Sequence, residues 1–303
     1  EGRKDTHFLT STDYWFKPIH ARVGPDGALY LVDFYNQIAA HNDTRGVPHG
    51  ARNAATRPDR NHEFTRLYRI QHKQAEKLPA YELNSKNATK LVAMLDHPNG
   101  WVRATANRLL SEGAGNSVVD ALKTQTTRAA TAYGRMQALW VLHNLNKLDA
   151  KTFVAAARDT DPVVRKNALR IASEQHIGVN QLPLELLRAL LADTNQRVRL
   201  EALTAAASAA PTREVANAIV AAWPTLQNQH LETAALAVSA GNPLLFLDAA
   251  FAATNPSELR GMIPALARQV ALENNPASAR ALVISLAGKP AATDALKALA
   301  LQS

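Results

Sequence analysis

The chain has 303 residues, a hydrophobic content of 47% and a formal net charge of +8, which are the proportions of a globular protein and exclude a disordered one. It contains no cysteine, which excludes disulfides, thiolate metal ligands, a cysteine nucleophile and covalent haem attachment. No apolar run approaches the length of a membrane span, and the excess of basic residues is spread along the chain without a basic run, so a solvated surface explains it better than a nucleic-acid-binding stripe.

The first elements along the chain are predicted strands. The runs IHARV (19–23) and ALYLVDFY (28–35) are rich in branched and aromatic residues, and GPDG (24–27) between them favours a tight turn. TRLYRIQH (65–72) predicts a third strand. Three strands need a covered face to be stable, so one interpretation of this segment is a small β-cap on a larger domain.

A long polar loop, 36–64, joins the second and third predicted strands. Loops of this length are usually functional or disordered. Its histidines lack the HxxxH and HExxH spacings of zinc sites, so no metal site is predicted. We expect either a solvated loop or a titratable cluster that converges beside a binding face. That cluster would consist of His41, Asp43, Arg45, His49, Asp59, Arg60 and His62.

The string WFKPIHARVGPDGALYLVDFYN (15–36), the polar loop and DRNHEFTRLYRI (59–70) together resemble the closing blade of the β-propellers of glucose and sorbosone dehydrogenases. The resemblance is greater to bacterial membrane-bound dehydrogenase proteins, in which such a propeller precedes HEAT repeats and often a cytochrome c domain. It covers residues 8–72. The resemblance implies that earlier blades lie upstream of this sequence and that the protein is periplasmic or associated with the cell envelope.

The resemblance also implies where a cofactor would bind. In the quinoprotein branch, Lys17 would reach a carboxylate of pyrroloquinoline quinone (PQQ), with His20 as a polar contact beside it. Lysine offers a point charge where arginine, the more usual residue, offers a bidentate fork. We expect Asp33 and Asn36 to orient the ligand. The catalytic histidine and the calcium ligands of such enzymes come from other blades, so no catalytic residue is assigned here, and PQQ, calcium and a sugar or polyol substrate are expected only in a complete protein.

From Lys86 onward the chain is rich in alanine and repetitive. DHPNGWVRATANRLL (96–110), DTDPVVRKNALRIA (159–172) and DTNQRVRLEALTAA (193–206) share an aspartate, a turn and Val-Arg before an apolar run of helical period, and GRMQALWVL (134–142) is a divergent copy. A repeat of about thirty residues predicts stacked helix pairs. The pattern resembles the short form of the HEAT repeat.

These patterns predict a mostly α protein. The domains are a blade-like β-segment over 1–75, a connector over 76–85 and a right-handed, HEAT-like α-solenoid of six or seven helix pairs over 86–303. In the solenoid, we expect Asp96, Asp159 and Asp193 to cap the second helix of each pair.

Arginine recurs at one position of the repeat, in Arg103, Arg135, Arg165 and Arg199. Two interpretations of this row are open. The arginines form a ladder of Asp–Arg contacts between successive turns, or they join Arg108 and Arg170 on a basic concave face that binds phosphates.

The predicted function is that of a C-terminal interaction region of a quinoprotein-like sugar dehydrogenase, not catalytic by itself. Its partner would be a cytochrome c domain or the rest of the propeller. Two alternatives remain, a HEAT-like nucleic-acid-binding or base-repair protein and a pure protein-interaction scaffold. The sequence has no nucleophile elbow, Walker loop or dinucleotide fingerprint.

Overall fold

The computed structural model describes residues 5–36, 63–76, 81–174 and 182–302. They are mostly α-helical, with a small antiparallel sheet near the N-terminus, which confirms the predicted fold class. The chain divides into two compact units. The sheet unit comprises Glu1–Leu83 and His97–Thr105, and the helical unit comprises Asn84–Asp96 and Ala106–Ser303.

The sheet contains three antiparallel strands in the order β1 (Pro18–Val23), β2 (Leu29–Asp33) and β3 (Arg66–Ile70). β2 and β3 fall within the predicted runs, and β1 begins one residue before its run, at Pro18. β2 lies in the centre, and its Leu31 is buried, whereas every residue of β1 is exposed. An irregularity in the pairing between Pro18 and His20 interrupts the start of β1.

The GPDG turn joins β1 to β2. The backbone N–H of Gly24 donates to the carbonyl of Ala28 (2.9 Å), and Gly27 has a φ of 77°, in the left-handed region that favours glycine. Asn99, which belongs to the same unit, donates its Nδ2 to the carbonyls of Gly24 (2.9 Å) and Pro25 (3.1 Å). A residue from the first repeat signature therefore holds the turn of the sheet.

Fourteen α-helices follow the sheet in the described ranges, and they form seven consecutive pairs, in line with the predicted six or seven. Their bounds are α1 (Ala88–Met94), α2 (Gly100–Ser111), α3 (Val119–Arg128), α4 (Ala132–Asn144), α5 (Ala150–Ala157), α6 (Pro162–Glu174), α7 (Leu184–Leu191), α8 (Gln196–Ala207), α9 (Arg213–Ala222), α10 (Gln229–Ser239), α11 (Pro243–Phe251), α12 (Met262–Leu272), α13 (Pro276–Ala287) and α14 (Asp294–Leu301).

Two columns of helices build the helical unit. The second helices of successive pairs pack on one another from α4 through α6, α8, α10 and α12 to α14, and among the first helices α7 packs on α9, α9 on α11 and α11 on α13. One continuous apolar core lies between the columns and includes fully buried Leu169, Leu203, Phe246 and Ile263. This arrangement is a solenoid-like stack, in which each pair contacts chiefly its neighbours.

No single helix in the described ranges is both long and apolar enough to cross a membrane. The consecutive helices α10 and α11 satisfy the length and composition together, but they are bent by 113° relative to each other. Their apolar side chains include Leu231, Val238 and Phe246, which are buried in the core of the helical unit.

The predicted helix caps are wrong. The second helices are capped two or three residues after the predicted aspartates, by side-chain oxygens of Asn99, Asp161 and Asn195, each of which accepts from the backbone N–H two residues later. Asp159 and Asp193 instead receive hydrogen bonds from arginines of the preceding repeat. The signature contains two possible capping side chains, and in the copies at Asp159 and Asp193 the arginine of the preceding repeat binds the first, so the second caps the helix.

Asp149, the N-cap of α5, links two helices and gives a pH-dependent prediction. Its Oδ1 accepts from the backbone N–H of Thr152 (2.8 Å), and its Oδ2 lies 2.7 Å from Nζ of Lys123. The hydrogen bond from Lys123, followed by those from Thr152, lowers the pKa of Asp149 to about 2 from an ordinary 3.8. A carboxylate whose pKa is lowered by folding contributes stability that is complete above about pH 5 and is lost as the pH falls through about 2.

We expect Asp149→Ala to lower the free energy of unfolding by about 1 kcal/mol at pH 7 and by less at pH 2, a modest value because the side chain is 45% exposed and solvent screens the ion pair. Urea denaturation at the two pH values measures both effects. Asp149→Asn is the matched control, because asparagine still caps the helix but carries no charge. An equal loss at both pH values in Asp149→Ala would show that the ion pair with Lys123 contributes nothing.

Candidate functional site

Three of the four residues predicted to contact a cofactor meet where β2 ends. Asp33 is fully buried, and its Oδ1 accepts hydrogen bonds from the backbone N–H groups of Lys17 (2.7 Å) and Tyr35 (2.9 Å). The nearly buried Asn36 donates its backbone N–H to the carbonyl of Trp15 (3.1 Å). Backbone contacts therefore bring these residues together, and the Asp33 carboxylate fixes two chain segments against each other.

The side chains of Lys17 and His20 are not directed to a common point. The ammonium of Lys17 donates to the backbone carbonyl of Tyr14. His20 is exposed and pairs with Val32, the strand neighbour of Asp33, so it lies on the opposite face of the sheet from Asp33. This arrangement does not fit a PQQ carboxylate, because the ammonium of Lys17 is directed to a carbonyl and the Asp33 carboxylate would repel an anion.

The polar cluster predicted for the long loop lies outside the described residues. Its members are His41, Asp43, Arg45, His49, Asp59, Arg60 and His62. Their predicted convergence near Lys17 and His20 stays a prediction.

Asp33 carries a stability prediction. Asp33→Ala removes the acceptor of two partly buried amides, and each donor left unpaired costs roughly 1–3 kcal/mol. We expect the amides of Lys17 and Tyr35 to lose at least about tenfold in protection from hydrogen exchange, measured residue by residue. Asp33→Asn, which keeps an Oδ1 acceptor, is the control and should retain most of that protection. Equal losses in the two variants would contradict the role given to Oδ1.

Sequence reasoning missed an aromatic and ionic cluster beside this point. The guanidinium of Arg66 lies 3.5 Å from the centre of the Tyr35 ring, and the ring of Trp15 lies 5.4 Å from that of Tyr35. The Tyr35 hydroxyl donates to Oδ2 of Asp13 (3.0 Å), and Nη1 of Arg66 lies 3.6 Å from the same oxygen. Tyr35 has a φ of 43°, which is uncommon for a residue with a side chain. The signal available in the sequence was the concentration of aromatic residues in YWF and DFY with an arginine in the next strand.

The cluster holds its acidic and phenolic groups in opposite protonation states. The hydrogen bond from the backbone N–H of Trp15 lowers the pKa of Asp13, with help from Tyr35 and Arg66. Loss of hydration, followed by the hydrogen bond to Asp13, raises the pKa of Tyr35. At neutral pH the cluster therefore contains a carboxylate, a neutral phenol and a guanidinium, an arrangement that ties β3 to the segment before β1.

A shallow depression of about 640 Å³ lies at the turn end of the sheet. Leu29 and Ile70 contribute apolar side chains, and Asp26, His72 and Glu76 contribute titratable ones. Oδ2 of Asp26 accepts a hydrogen bond from Nε of Arg69 (2.7 Å). This hydrogen bond is the main cause of the lowered pKa of Asp26. The depression is open and exposes both polar and apolar groups.

The arginine row of the helical unit forms a ladder. Nε and Nη2 of Arg135 donate to the two carboxylate oxygens of Asp159 (2.6 and 2.8 Å), and those of Arg165 donate to Asp193 in the same way (2.7 and 2.9 Å). All four side chains are at most 16% exposed. Each arginine therefore joins its own repeat to the turn of the next.

At the two ends of the ladder, Arg199 has no aspartate partner and Asp96 has no arginine partner among the described contacts, and each bonds to backbone groups instead. Arg199 donates to the carbonyls of Leu191 (2.9 Å) and Thr225 (2.7 Å). Asp96 accepts from the backbone N–H groups of Ala130 (2.9 Å) and Thr131 (3.1 Å). The inter-repeat contact thus continues where the Asp–Arg pair is incomplete.

The remaining arginines of the predicted basic face in this unit are also paired. Arg108 lies 2.7 Å from Glu112, and Arg170 lies 3.3 Å from Glu174, each on its own helix. Since Arg135 and Arg165 are neutralised by nearly buried aspartates, the row does not present a continuous surface of uncompensated positive charge. The geometry favours the ladder over the phosphate-binding interpretation.

Comparisons with known proteins give one family match, over the N-terminal part of the chain, and distant structural similarities over most of it. Residues 1–74 match the model of a family described as "Domain of unknown function (DUF7133)", a match that ends before α1 begins. No curated protein matches the chain. Similar solved structures include two engineered proteins. The first is 17% identical to this chain, with a TM-score of 0.36, and the match covers 71% of this chain and 67% of the engineered chain. The second is 19% identical, with a TM-score of 0.32, and the match covers 71% of this chain and 95% of the engineered chain.

Proposed function

We propose that this chain is a non-catalytic interaction region of a larger, envelope-associated, quinoprotein-like sugar dehydrogenase. The helical unit would bind a protein partner, a cytochrome c domain or further propeller blades, and the sheet unit would belong to the propeller.

The observation that carries this proposal is the exposure of apolar residues on the two outer strands of the sheet. Ile19 and Val23 on β1 and Leu67 on β3 are each more than half exposed, although they are apolar and lie in strands. A three-stranded sheet needs a covered face, and in a propeller each blade receives that cover from its neighbours. Exposed apolar strands are what a blade presents when its neighbours are elsewhere.

The helical unit supports the interaction role by its charge distribution. Its arginine row is used for contacts between repeats, so what remains at the surface is mixed in charge. Helical stacks of this kind offer long surfaces for proteins without built-in chemistry. PQQ, if the whole protein binds it, would supply the oxidation chemistry, and the residues of this chain near Asp33 do not form its carboxylate site.

The test measures two properties of the purified chain. With PQQ, Ca²⁺, glucose and a dye acceptor, we expect no turnover. In titration calorimetry, we expect a purified bacterial c-type cytochrome to bind, with an unrelated helical-repeat protein of similar net charge as the control. Turnover by this chain alone would contradict its non-catalytic assignment.

The same measurements separate the alternatives. If the cytochrome does not bind and duplex DNA binds with an affinity that falls steeply as salt rises, the nucleic-acid-binding alternative is favoured. The ladder argues against that outcome, because a phosphate would have to compete with buried carboxylates for Arg135 and Arg165. If neither ligand binds, the scaffold alternative, with no redox partner, remains.

A further inference from the structure

Asn99 and Gly100, at the start of α2, form the one Asn-Gly pair in the sequence. In such a pair the backbone nitrogen of glycine can attack Cγ of the asparagine side chain, because glycine has no Cβ to hinder the approach. The new N–Cγ bond closes a succinimide ring, the Cγ–Nδ2 bond breaks, and the amide group leaves as ammonia with the proton of the attacking nitrogen. Water then opens the ring to aspartate or isoaspartate. The pair can therefore convert a neutral amide into a carboxylate without an enzyme.

The described contacts give no steric reason for glycine at position 100. The φ of Gly100 lies outside the left-handed region, and among the described residues a Cβ there would have Nη2 of Arg103 as its nearest neighbour, at 3.5 Å. Alanine would also be the better helix former. What glycine does provide here is an unhindered route to the succinimide.

The contacts of Asn99 hold this reaction back in the folded chain. Asn99 is 9% exposed, and its Nδ2 donates to the carbonyls of Gly24 (2.9 Å) and Pro25 (3.1 Å). Its Oδ1 accepts from the backbone N–H of Trp101 (2.9 Å). Because the reaction expels Nδ2 as ammonia, both hydrogen bonds to the turn must break. Deamidation is therefore confined to states in which the turn has opened from Asn99.

We propose that Asn99 is a site of spontaneous deamidation, protected by the Gly24–Pro25 turn, and that the reaction permanently separates the turn from the start of α2. At neutral pH the product carboxylate has no proton to donate, so it would face two carbonyl oxygens that repel it. The start of α2 would survive in the aspartate product, since aspartate also caps helices and a negative charge is favourable at a helix N-terminus. The proposal does not depend on the function proposed above.

The first test compares deamidation rates at single asparagines of the whole chain. The chain is incubated at mildly alkaline pH, either folded or unfolded in guanidinium chloride, and aspartate and isoaspartate are quantified by peptide mass mapping. In the unfolded chain, Asn99 should react at least about tenfold faster than Asn116, because the serine that follows Asn116 has a Cβ that hinders the attack. Folding should slow the reaction at Asn99 at least about tenfold.

Gly100→Ala is the matched control for the chemistry. An alanine Cβ fits the described surroundings of position 100, so this variant should fold like the wild type. The same Cβ hinders ring closure, so the fast reaction at Asn99 in guanidinium chloride should be lost.

The second test examines the product directly through Asn99→Asp. The buried amides of Gly24 and Ala28 donate to the carbonyl of Ala28 (2.9 Å) and to Oδ1 of Asp26 (3.2 Å). In the variant, both amides should lose at least about tenfold in protection from hydrogen exchange, whereas the amides within α2 should keep theirs. Asn116→Asp introduces the same charge at an exposed position and should leave the turn unchanged.

Three outcomes would overturn the proposal. Asn99 reacts no faster than Asn116 in guanidinium chloride, which would remove the reactive site. Asn99 reacts equally fast in the folded and the unfolded chain, which would remove the protection by the turn. Asn99→Asp keeps wild-type exchange at Gly24 and Ala28, which would show that the product leaves the turn in place.

Discussion

Arg165→Ala is expected to lower the free energy of unfolding of the helical unit by about 3 kcal/mol, since removing one partner of a buried ion pair leaves the other charge uncompensated. Arg165 and Asp193 are 16% and 8% exposed. Arg165 also donates Nη1 to the carbonyls of Asp159 (2.8 Å) and Thr160 (3.0 Å), so the substitution also leaves two acceptors without this donor. Urea denaturation followed by circular dichroism measures the loss.

The pH dependence of this loss identifies its cause. Burial raises the pKa of Asp193, but the hydrogen bonds from Arg165 and from the backbone N–H of Asn195 outweigh burial and hold the pKa below its ordinary value. In the wild type, this carboxylate therefore contributes stability that is present above its unfolded pKa and is lost as the pH falls through the lowered one. Without Arg165, burial dominates and favours the protonated acid. The difference between the two proteins should therefore shrink from pH 7 to pH 3.

Arg170→Ala is the matched control for the ladder. It removes an arginine of the same helix whose pair with Glu174 is exposed, and we expect a change of less than about 0.5 kcal/mol. The double variant Arg165→Met with Asp193→Leu should recover much of the loss, because apolar replacement of a whole buried pair is often tolerated. Equal effects of Arg165→Ala and Arg170→Ala would refute the structural importance of the ladder.

Gly134→Ala is the second substitution with a large expected effect. It should destabilise the protein, whereas a Gly→Ala substitution within a helix usually stabilises it. Alanine normally stabilises a helix relative to glycine by about 1 kcal/mol. At Gly134 in α4, however, a Cβ would lie 2.4 Å from Oδ1 of Asp96 and 2.9 Å from Cβ of Ala129. The added methyl group would displace the carboxylate that accepts from Ala130 and Thr131. We expect a loss of about 2 kcal/mol in thermal or urea denaturation.

Gly100→Ala tests the same exchange without the clash. Its Cβ would have Arg103 Nη2 as its nearest neighbour, at 3.5 Å, which is ordinary contact. We expect a neutral to slightly stabilising change there. A stabilised Gly134→Ala protein would mean that the turn containing Asp96 adjusts freely and does not constrain the helix start.

Much of the fold was predictable because its signals are local. The strands follow runs of branched and aromatic residues, GPDG forms the predicted turn, and the Asp-turn-Val-Arg signature recurs at the start of second helices. Periodicity of apolar residues and turn chemistry act within a few residues, so they can be recognised in a sequence. The number of helix pairs followed from the repeat length for the same reason.

The candidate site was less predictable. Lys17, Asp33 and Asn36 were named for a ligand, but the described contacts of Asp33 are with the backbone of Lys17 and Tyr35. An aspartate at the end of a strand looks the same in the sequence whether it binds a ligand or accepts hydrogen bonds from the backbone. The stacking of Arg66 on Tyr35 joins residues 31 positions apart in the sequence, so no short window of sequence contains it.

The sequence by itself determined the small β-segment, the helix pairs, their repeat length and the row of arginines, because each depends on side chains that are close along the chain. Only the tertiary structure decided which partners those side chains take. Arg135 pairs with the carboxylate of Asp159, 24 residues later in the chain, and Asp161 caps α6 in its place. Asn99 reaches the carbonyl of Gly24 across 75 residues, which joins the first repeat signature to the sheet. Contacts at these separations arise from packing of whole elements, and the local pattern is the same whichever partner packs against it.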